Sequence, residues 1–351
     1  MSSVINIGGH LVGPGHPTLV IAEAGSNHNR DLVMAKRLID VAATAGADAV
    51  KFQCFSADKL YSKYTPKFSY LEAQGEQKET WDIIKDAELP REWQQELFDY
   101  ATANGLIWLS TPTDREGVDQ LEAIGVPAYK ISSYEAVDLP FVKYVTSKGK
   151  PMIISTGMCS NNEVADIINT VHSVVGDEWQ HFLAFLQCTS LYPAPYHLVN
   201  LKWVPAIGQL MVTGLSDHTT GIHIPVAAVA LGACIIEKHF TLDRNLPGPD
   251  HPHSLEPDEL AQMVRQIRDV ESAMGDGRKT GPAPEEQEMF QKARRSVVAA
   301  CDIPAGTTIT ADMVTSKRPG YGVPAKDIDK VIGMTTSVSI LEDQVITWLM
   351  V

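Results

Sequence analysis

The sequence predicts a (β/α)8 TIM barrel followed by a small, mostly β domain, and two observations support this prediction. Over roughly 250 residues, eight short apolar runs typical of buried strands alternate with helix-like segments. After residue 292 the chain changes to short β-rich pieces separated by Pro and Gly turns. The strand candidates are residues 18–24, 48–53, 106–111, 128–132, 151–156, 182–188, 211–216 and 234–240.

The helix-like segments have apolar residues at helical spacing. Residues 31–45 begin at Asp31, a residue type that caps helices, and place Ala35, Leu38 and Ala42 on one face. A doubly wound open sheet is the alternative, but such sheets usually have six strands, and no Gly-x-Gly-x-x-Gly follows the first strand here. The other helix-like segments are residues 115–124, 139–148, 161–175, 222–231 and 257–274.

The domain boundaries follow from composition. Residues 1–280 form the barrel domain, which opens with a hairpin, "INIGGHLVG", that we expect to close the barrel bottom. Residues 281–292 are Pro-containing and then acidic, so we interpret them as a linker. Residues 293–351 are few for an independent core, so we expect this domain to rest on the barrel or on another subunit.

Composition excludes several classes of protein. The chain is 44% hydrophobic and 21% charged, and no apolar run reaches the roughly 18 residues of a membrane span. Five scattered cysteines without a Cys-x-x-Cys, and no signal-peptide pattern, predict a cytoplasmic protein. A net charge of −14 disfavours nucleic acid and anionic membranes, although a few local lysines can still bind a small anion.

Polar residues are concentrated where the predicted strands end, and in such barrels reactive groups lie at the C-terminal strand ends. Two inward lysines, Lys51 and Lys130, beside several hydroxyls indicate an anion site. Glu23 is either an acid–base group or a member of a structural ion pair. The other polar residues are Gln53, Thr111, Ser133, Ser155, Ser190, Ser216 and Glu237.

Two histidines follow the seventh and eighth strands, which are about 4.8 Å apart if adjacent. His218 and His239 can therefore converge on one divalent ion and leave positions for water and substrate, which favours catalysis over a structural role. Asp250 lies in a Gly/Pro-rich loop on the same face. His251 and His253 form a His-x-His pair that we interpret as loop histidines beside a proline.

Several longer motifs occur in order along the chain: "IAEAGSNHN", "AGADAVKFQ", "QCTSLYPAPY", "GLSDHT", "IEKHFTLD" and "GPDH". Together they resemble the sialic acid synthase family, and "KRPGYG" resembles its C-terminal antifreeze-like (SAF) domain. The resemblance implies condensation of phosphoenolpyruvate with N-acetylmannosamine or another N-acylated hexosamine, with release of phosphate, to give N-acetylneuraminate. It also implies a divalent ion, most often manganese, with magnesium or cobalt as alternatives.

The resemblance further implies roles for individual residues. His218 and His239 would bind the metal, Glu23 would act as acid–base residue, and Glu237 would position water. A domain-swapped homodimer would bring Arg318 to the sugar of the other subunit. The implied phosphoenolpyruvate contacts are Lys51, Thr111, Lys130, Ser133, Ser155, Ser190 and Ser216, and the implied sugar contacts are Gln53, Tyr192, Asp250 and Arg318.

Two departures leave the sugar open. Ser190 stands where many sialic acid synthases have Asn, and "KISSYE" differs from the "KIGSG" of the sialate branch. A pseudaminic or legionaminic acid synthase acting on a 2,4-diacetamido hexose is therefore the alternative. A metal-dependent hydrolase would place a His-x-His after the first strand, where this chain has "NHN". A carbohydrate-binding module would give the polar strand ends no role.

Overall fold

All eight strand runs form strands, and these join in one parallel sheet. The computed structural model describes residues 3–66 and 78–351. Neighbours follow the order β5-β4-β3-β10-β9-β8-β7-β6, and β5 lies beside β6, so the sheet is a nearly closed barrel. This order confirms the (β/α)8 prediction and excludes the doubly wound sheet. The strands are β3 (Leu19–Glu23), β4 (Ala49–Cys54), β5 (Ile107–Pro112), β6 (Tyr129–Ile131), β7 (Met152–Ser155), β8 (Leu183–Cys188), β9 (Val212–Asp217) and β10 (Ile235–His239).

Helices surround the sheet, and every helix-like segment of the sequence is confirmed. Asp31 caps the first helix as predicted, because its side chain accepts hydrogen bonds from the backbone N–H groups of Val33 and Met34. In the described part of the first unit, the helices are α1 (Leu32–Thr44), α2 (Ala57–Leu60), α3 (Thr80–Ala87), α4 (Gln94–Ala103), α5 (Arg115–Ile124), α6 (Leu139–Thr146), α7 (Asn161–Val175), α8 (Trp203–Gly208), α9 (His223–Ala230) and α10 (Pro257–Ala273). Of these, the sequence pattern missed α2, α3, α4 and α8.

The barrel interior is apolar at one end, and the predicted hairpin closes that end. Strands β1 (Ile5–Ile7) and β2 (His10–Val12) pair antiparallel. Ile5, Ile7 and Val12 are buried in one cluster with inward side chains from the strand starts, such as Leu19 and Ala49. Side chains alternate along each strand, so the next inward positions are the polar ones at the opposite end. The fold therefore places the polar groups around the open C-terminal end of the barrel.

The second compact unit spans Asp276–Val351, after a first unit of Met1–Gly275. Its strands β11 (Ser296–Ala299) and β12 (Val314–Lys317) pair antiparallel. Helix α11 (Gln287–Ala293) begins in the predicted linker and extends one residue beyond it, and α12 (Ile328–Val331) follows β12. The unit has its own apolar cluster, which includes Val297, Ile309, Val323 and Ile346.

Two further features concern membrane spans and cysteines. Across the described ranges, no helix is both long enough and apolar enough to traverse a bilayer. All five cysteines are free thiols.

Candidate active site

Four buried charged side chains from β3, β4, β6 and β10 lie together inside the barrel. Lys51 Nζ is 2.9 Å from Glu23 Oε2, and it donates a hydrogen bond of 2.9 Å to Thr111 Oγ1. Lys130 Nζ is 3.6 Å from Glu237 Oε1, and Glu237 Oε2 is 4.0 Å from Lys51 Nζ. The four charges therefore form one alternating chain, which we call the charged array: Glu23, Lys51, Glu237, Lys130.

The two carboxylates of the charged array have opposite protonation behaviour. Burial raises the pKa of Glu23 to about 7, although Lys51 works against the shift. Burial also opposes ionisation of Glu237, but Lys130 and Lys51 outweigh it and lower the pKa of Glu237 to about 2. Pairs of carboxyl groups whose pKa values are pushed apart are typical of acid–base sites. Near neutral pH, Glu23 can hold a proton while Glu237 stays ionised.

Hydroxyl groups surround the lysines, as the sequence predicts. Lys130 Nζ donates to Ser155 Oγ at 2.8 Å, and Ser216 Oγ donates to Glu237 Oε1 at 2.9 Å. Ser133 Oγ accepts a hydrogen bond of 2.9 Å from the Gly157 N–H.

Ser190 differs from the other hydroxyls because its oxygen has no protein partner. Ser190 Oγ is buried and unpaired, and a Cβ atom on Gly157 would collide with it. A buried unpaired donor beside a space that only glycine leaves open suits an acceptor-rich ligand such as a phosphate.

His218, which follows β9, and His239, which ends β10, lie close together. The ring centroids of His218 and His239 are 5.6 Å apart. His218 Nδ1 lies 2.8 Å from the carbonyl oxygen of Thr189, which can only accept. His218 Nδ1 therefore carries a proton, which leaves Nε2 as the ring nitrogen available to another partner.

A second group of potential metal ligands shares His239 with the pair formed by His218 and His239. Ligand atoms of His239, Asp250 and His253 all lie within 4.8 Å of one another, so these residues form a group that could hold a metal ion. His239 Nδ1 and His253 Nε2 are buried and lack hydrogen-bond partners. Burial lowers the pKa of His239 to about 3 and that of His253 to about 4, so both rings are neutral. Buried neutral imidazoles with free lone pairs fit a divalent cation.

The two histidines of the His-x-His pair have different roles, and their spacing in the sequence does not indicate this difference. His251 is a hydrogen-bonded loop histidine, as expected, because its ring nitrogens lie 2.6 Å from Thr241 Oγ1 and 3.2 Å from Asn29 Oδ1. His253 has no such partners and belongs to the metal-competent group.

The loop after β3 holds Asp250 in place, a role that no local sequence pattern indicates. The backbone N–H and the hydroxyl of Ser26 donate to Asp250 Oδ2 at 3.0 and 2.9 Å. Asn27 Nδ2 donates to the carbonyl oxygen of Phe240 at 2.8 Å. Gly25 has φ +52°, and a Cβ there would lie 3.0 Å from His239 Cε1, so glycine is required.

The predicted sugar contacts are partly assembled. Gln53 Nε2 donates to Glu23 Oε1 at 3.2 Å. The Tyr192 ring lies 4.2 Å from the His218 ring and 5.2 Å from the His253 ring, measured between centroids. Arg318 is exposed on the second unit, and its place at the sugar stays a prediction.

Behind the two strand-end histidines lies a buried ion pair. Lys238 lies between Glu237 and His239 on β10, so strand alternation points its side chain away from the site. In the structure its Nζ pairs with Asp217 Oδ2 at 2.6 Å. Asp217 and Lys238 directly precede His218 and His239. The pair therefore joins the two strands that present these histidines.

Comparisons with known proteins match most of the chain. The model of the NeuB family matches residues 38–279, and that of the SAF domain matches residues 294–351. An N,N'-diacetyllegionaminic acid synthase of Campylobacter jejuni is 42% identical, covering 94% of this chain and 98% of the relative. The human N-acetylneuraminate-9-phosphate synthase is 39% identical, covering 96% and 94%. The crystal structure of an N-acetylneuraminic acid synthetase from Leptospira borgpetersenii has a TM-score of 0.71 at 33% identity, covering 83% of this chain and 96% of that one.

Proposed function

Since the chain belongs to the NeuB family and ends in a SAF domain, we propose that it condenses phosphoenolpyruvate with an N-acylated hexosamine, releasing phosphate and forming a nonulosonic acid. The observation that carries this proposal is the charged array beside the histidines at the open end of the barrel. Lysines supply the attraction for a phosphorylated carboxylic acid, and the two carboxylates supply acid–base chemistry.

The lysines and hydroxyls are suited to hold phosphoenolpyruvate. Lys51 and Lys130 are buried, and each already bonds a hydroxyl, on Thr111 and Ser155 respectively. Ser190 offers a further hydroxyl without a protein partner, and Ser133 and Ser216 border the same region. Charge-assisted hydrogen bonds from such groups are roughly twice as strong as neutral ones, so they are suited to a multiply charged anion.

The two carboxylates fit the proton transfers of this reaction. Carbon C3 of phosphoenolpyruvate bonds to the aldehyde carbon of the open-chain sugar, and the aldehyde oxygen takes up a proton. This attack leaves C2 as an oxocarbenium centre, to which water adds with loss of one proton. The bond between C2 and the phosphate oxygen then breaks as the added hydroxyl gives its proton to the departing phosphate, and C2 becomes a carbonyl carbon. Glu23, with its raised pKa, can give the proton, while ionised Glu237 can orient the water. A divalent ion, for which we propose Mn²⁺ bound by His218 and His239, would supply Lewis-acid polarisation of the aldehyde.

The proposed acceptor is either N-acetylmannosamine or a 2,4-diacetamido hexose. The name of the 42% identical Campylobacter relative supports the second, and the human relative is named for N-acetylneuraminate chemistry. Gln53, Tyr192 and Asp250 are the proposed sugar contacts within the barrel. We also propose a homodimer in which Arg318 reaches the sugar of the partner subunit. Its exposure on a small second unit supports this arrangement.

Phosphate release tests the proposal directly. The purified protein receives Mn²⁺, phosphoenolpyruvate and one of the two sugars, and a reaction without sugar is the control. We expect sugar-dependent phosphate release that EDTA stops and excess Mn²⁺ restores. Release from neither sugar would reject the proposed reaction, and undiminished turnover in EDTA would reject the metal role of His218 and His239.

A further inference from the structure

We propose that His253 is a protein ligand of the divalent ion, together with His239 and Asp250. The inference rests on the divalent ion of the proposed function and extends its protein shell beyond the two strand-end histidines. It also gives Asp250, a proposed sugar contact, an additional role at the ion through one of its carboxylate oxygens.

The separation of the donor atoms supports a shared ion. Nitrogen and oxygen ligands lie about 2.1 Å from a bound divalent metal, so two ligands of one ion can be at most about 4.2 Å apart. His239 Nδ1 and Asp250 Oδ2 are already 4.0 Å apart. All three donors lie within 4.8 Å of one another, so a small side-chain adjustment brings His253 into range.

The unpaired nitrogens are the second line of support. His253 Nε2 and His239 Nδ1 are both buried and lack a partner. A buried polar atom without a partner is energetically unfavourable, so protein structures rarely keep two such atoms close together. One cation would satisfy both nitrogens and neutralise the Asp250 carboxylate. His251, two residues away, shows the contrast because both of its nitrogens have partners.

The surrounding residues hold this group in position. Ser26 fixes one carboxylate oxygen of Asp250, and Ser254 Oγ donates to the Asp250 main-chain oxygen at 2.6 Å. The Tyr192 ring packs 5.2 Å from the ring of His253. Such contacts around the ligands orient them and are typical of metal-binding sites in proteins. Two imidazoles and one carboxylate suit Mn²⁺, Co²⁺ or Zn²⁺, and three protein ligands leave positions for His218, water or substrate.

Direct metal binding tests the inference without substrates. Metal-free full-length protein is titrated with Mn²⁺, and free Mn²⁺ is measured by electron paramagnetic resonance. We expect His253→Ala to raise the dissociation constant by about tenfold or more, the range seen for perturbed metal sites. His251→Ala is the matched control, because it removes a neighbouring histidine of the same loop that has no free nitrogen. It should change the constant far less.

A second variant and a second readout guard against a folding defect. His253→Gln keeps a polar side chain in the loop, and it should also weaken Mn²⁺ binding. Thermal unfolding of the metal-free variants reports whether they fold. The visible absorption of Co²⁺-loaded protein should change in both His253 variants and stay unchanged in His251→Ala.

The outcomes separate this inference from the proposed function. Unchanged Mn²⁺ affinity in folded His253 variants, or equal losses in His251→Ala, would overturn the inference, while sugar-dependent phosphate release would still support the function. Failure of the wild-type protein to bind Mn²⁺ would overturn the inference as well. Weakened binding confined to the His253 variants would support it, even if the sugar panel showed no phosphate release.

Discussion

Replacing Lys238 with Met should destabilise the protein by about 3–5 kcal/mol, because it leaves a buried carboxylate without its charge partner. Lys238 is 1% exposed and Asp217 is 2% exposed. Their ion pair of 2.6 Å is supplemented by a hydrogen bond from Lys238 Nζ to the Thr219 carbonyl oxygen. Methionine fills most of the lysine volume, so the loss reports mainly on the charge.

The contacts of Asp217 place the expected loss near the lower end of this range. Thr219 still donates its N–H at 3.0 Å and its hydroxyl at 2.9 Å to the carboxylate after the substitution. Hydrogen bonds to a charged group contribute about 1.5–3 kcal/mol each, so these two partly compensate the stranded charge. We therefore expect about 3 kcal/mol for Lys238→Met. Adding Asp217→Asn removes the uncompensated charge and should recover part of the loss.

Urea unfolding followed by far-ultraviolet circular dichroism measures these differences. Lys36→Met is the matched control, because the ion pair of Lys36 with Glu96 is also 2.6 Å long but has side chains 32% and 52% exposed. Exposed pairs contribute about 0–1 kcal/mol. If Lys238→Met and Lys36→Met cost the same, the reasoning from buried charge is wrong. A double variant less stable than Lys238→Met would contradict the compensation argument.

Two further predictions concern the reaction itself. Because burial raises the pKa of Glu23 to about 7, its proton-donating form is lost as pH rises through that value, and wild-type phosphate release should decline there. Glu23→Gln should lower the rate on the order of 10²–10⁴-fold and abolish this decline; a pH–rate profile that keeps it would assign the decline to another group. Arg318→Ala should raise the KM for the sugar more than that for phosphoenolpyruvate in steady-state kinetics, whereas equal increases would argue against its place at the sugar.

Periodicity predicted the faces of the strands but not the partners of their side chains. Alternation along β10 correctly turns Glu237 toward the interior and Lys238 away from it, because side-chain direction follows from strand geometry alone. The pairing of Lys238 with Asp217 depends on which strands are neighbours and on their register. Both are properties of the assembled sheet.

The loop after β10 shows where prediction from the sequence ends. His251 and His253 have equivalent local sequence settings beside Pro252, yet one is hydrogen-bonded and the other is unpaired. Their difference depends on contacts with the loop after β3, where Asn29 bonds His251 and Ser26 bonds Asp250. These partners are more than 200 residues away in the chain, so a local pattern carries no signal for them. Only the closure of the barrel brings the two loops together.

On the proposed function, the charged array would let an acidic chain hold a strongly anionic substrate. The protein carries a net charge of −14, and ionised Glu23 and Glu237 would cancel Lys51 and Lys130. A neutral array would attract a phosphorylated carboxylate only weakly. With Glu23 protonated, two charged lysines and one ionised carboxylate would leave the charged array with one net positive charge. The bound anion in turn disfavours ionisation of Glu23, because like charges raise the pKa of a carboxyl group. On the proposed function, substrate binding therefore keeps Glu23 protonated, as its role of proton donor requires. Burial raises the pKa of Glu23, and a protonated Glu23 leaves the charge of Lys51 available to the substrate.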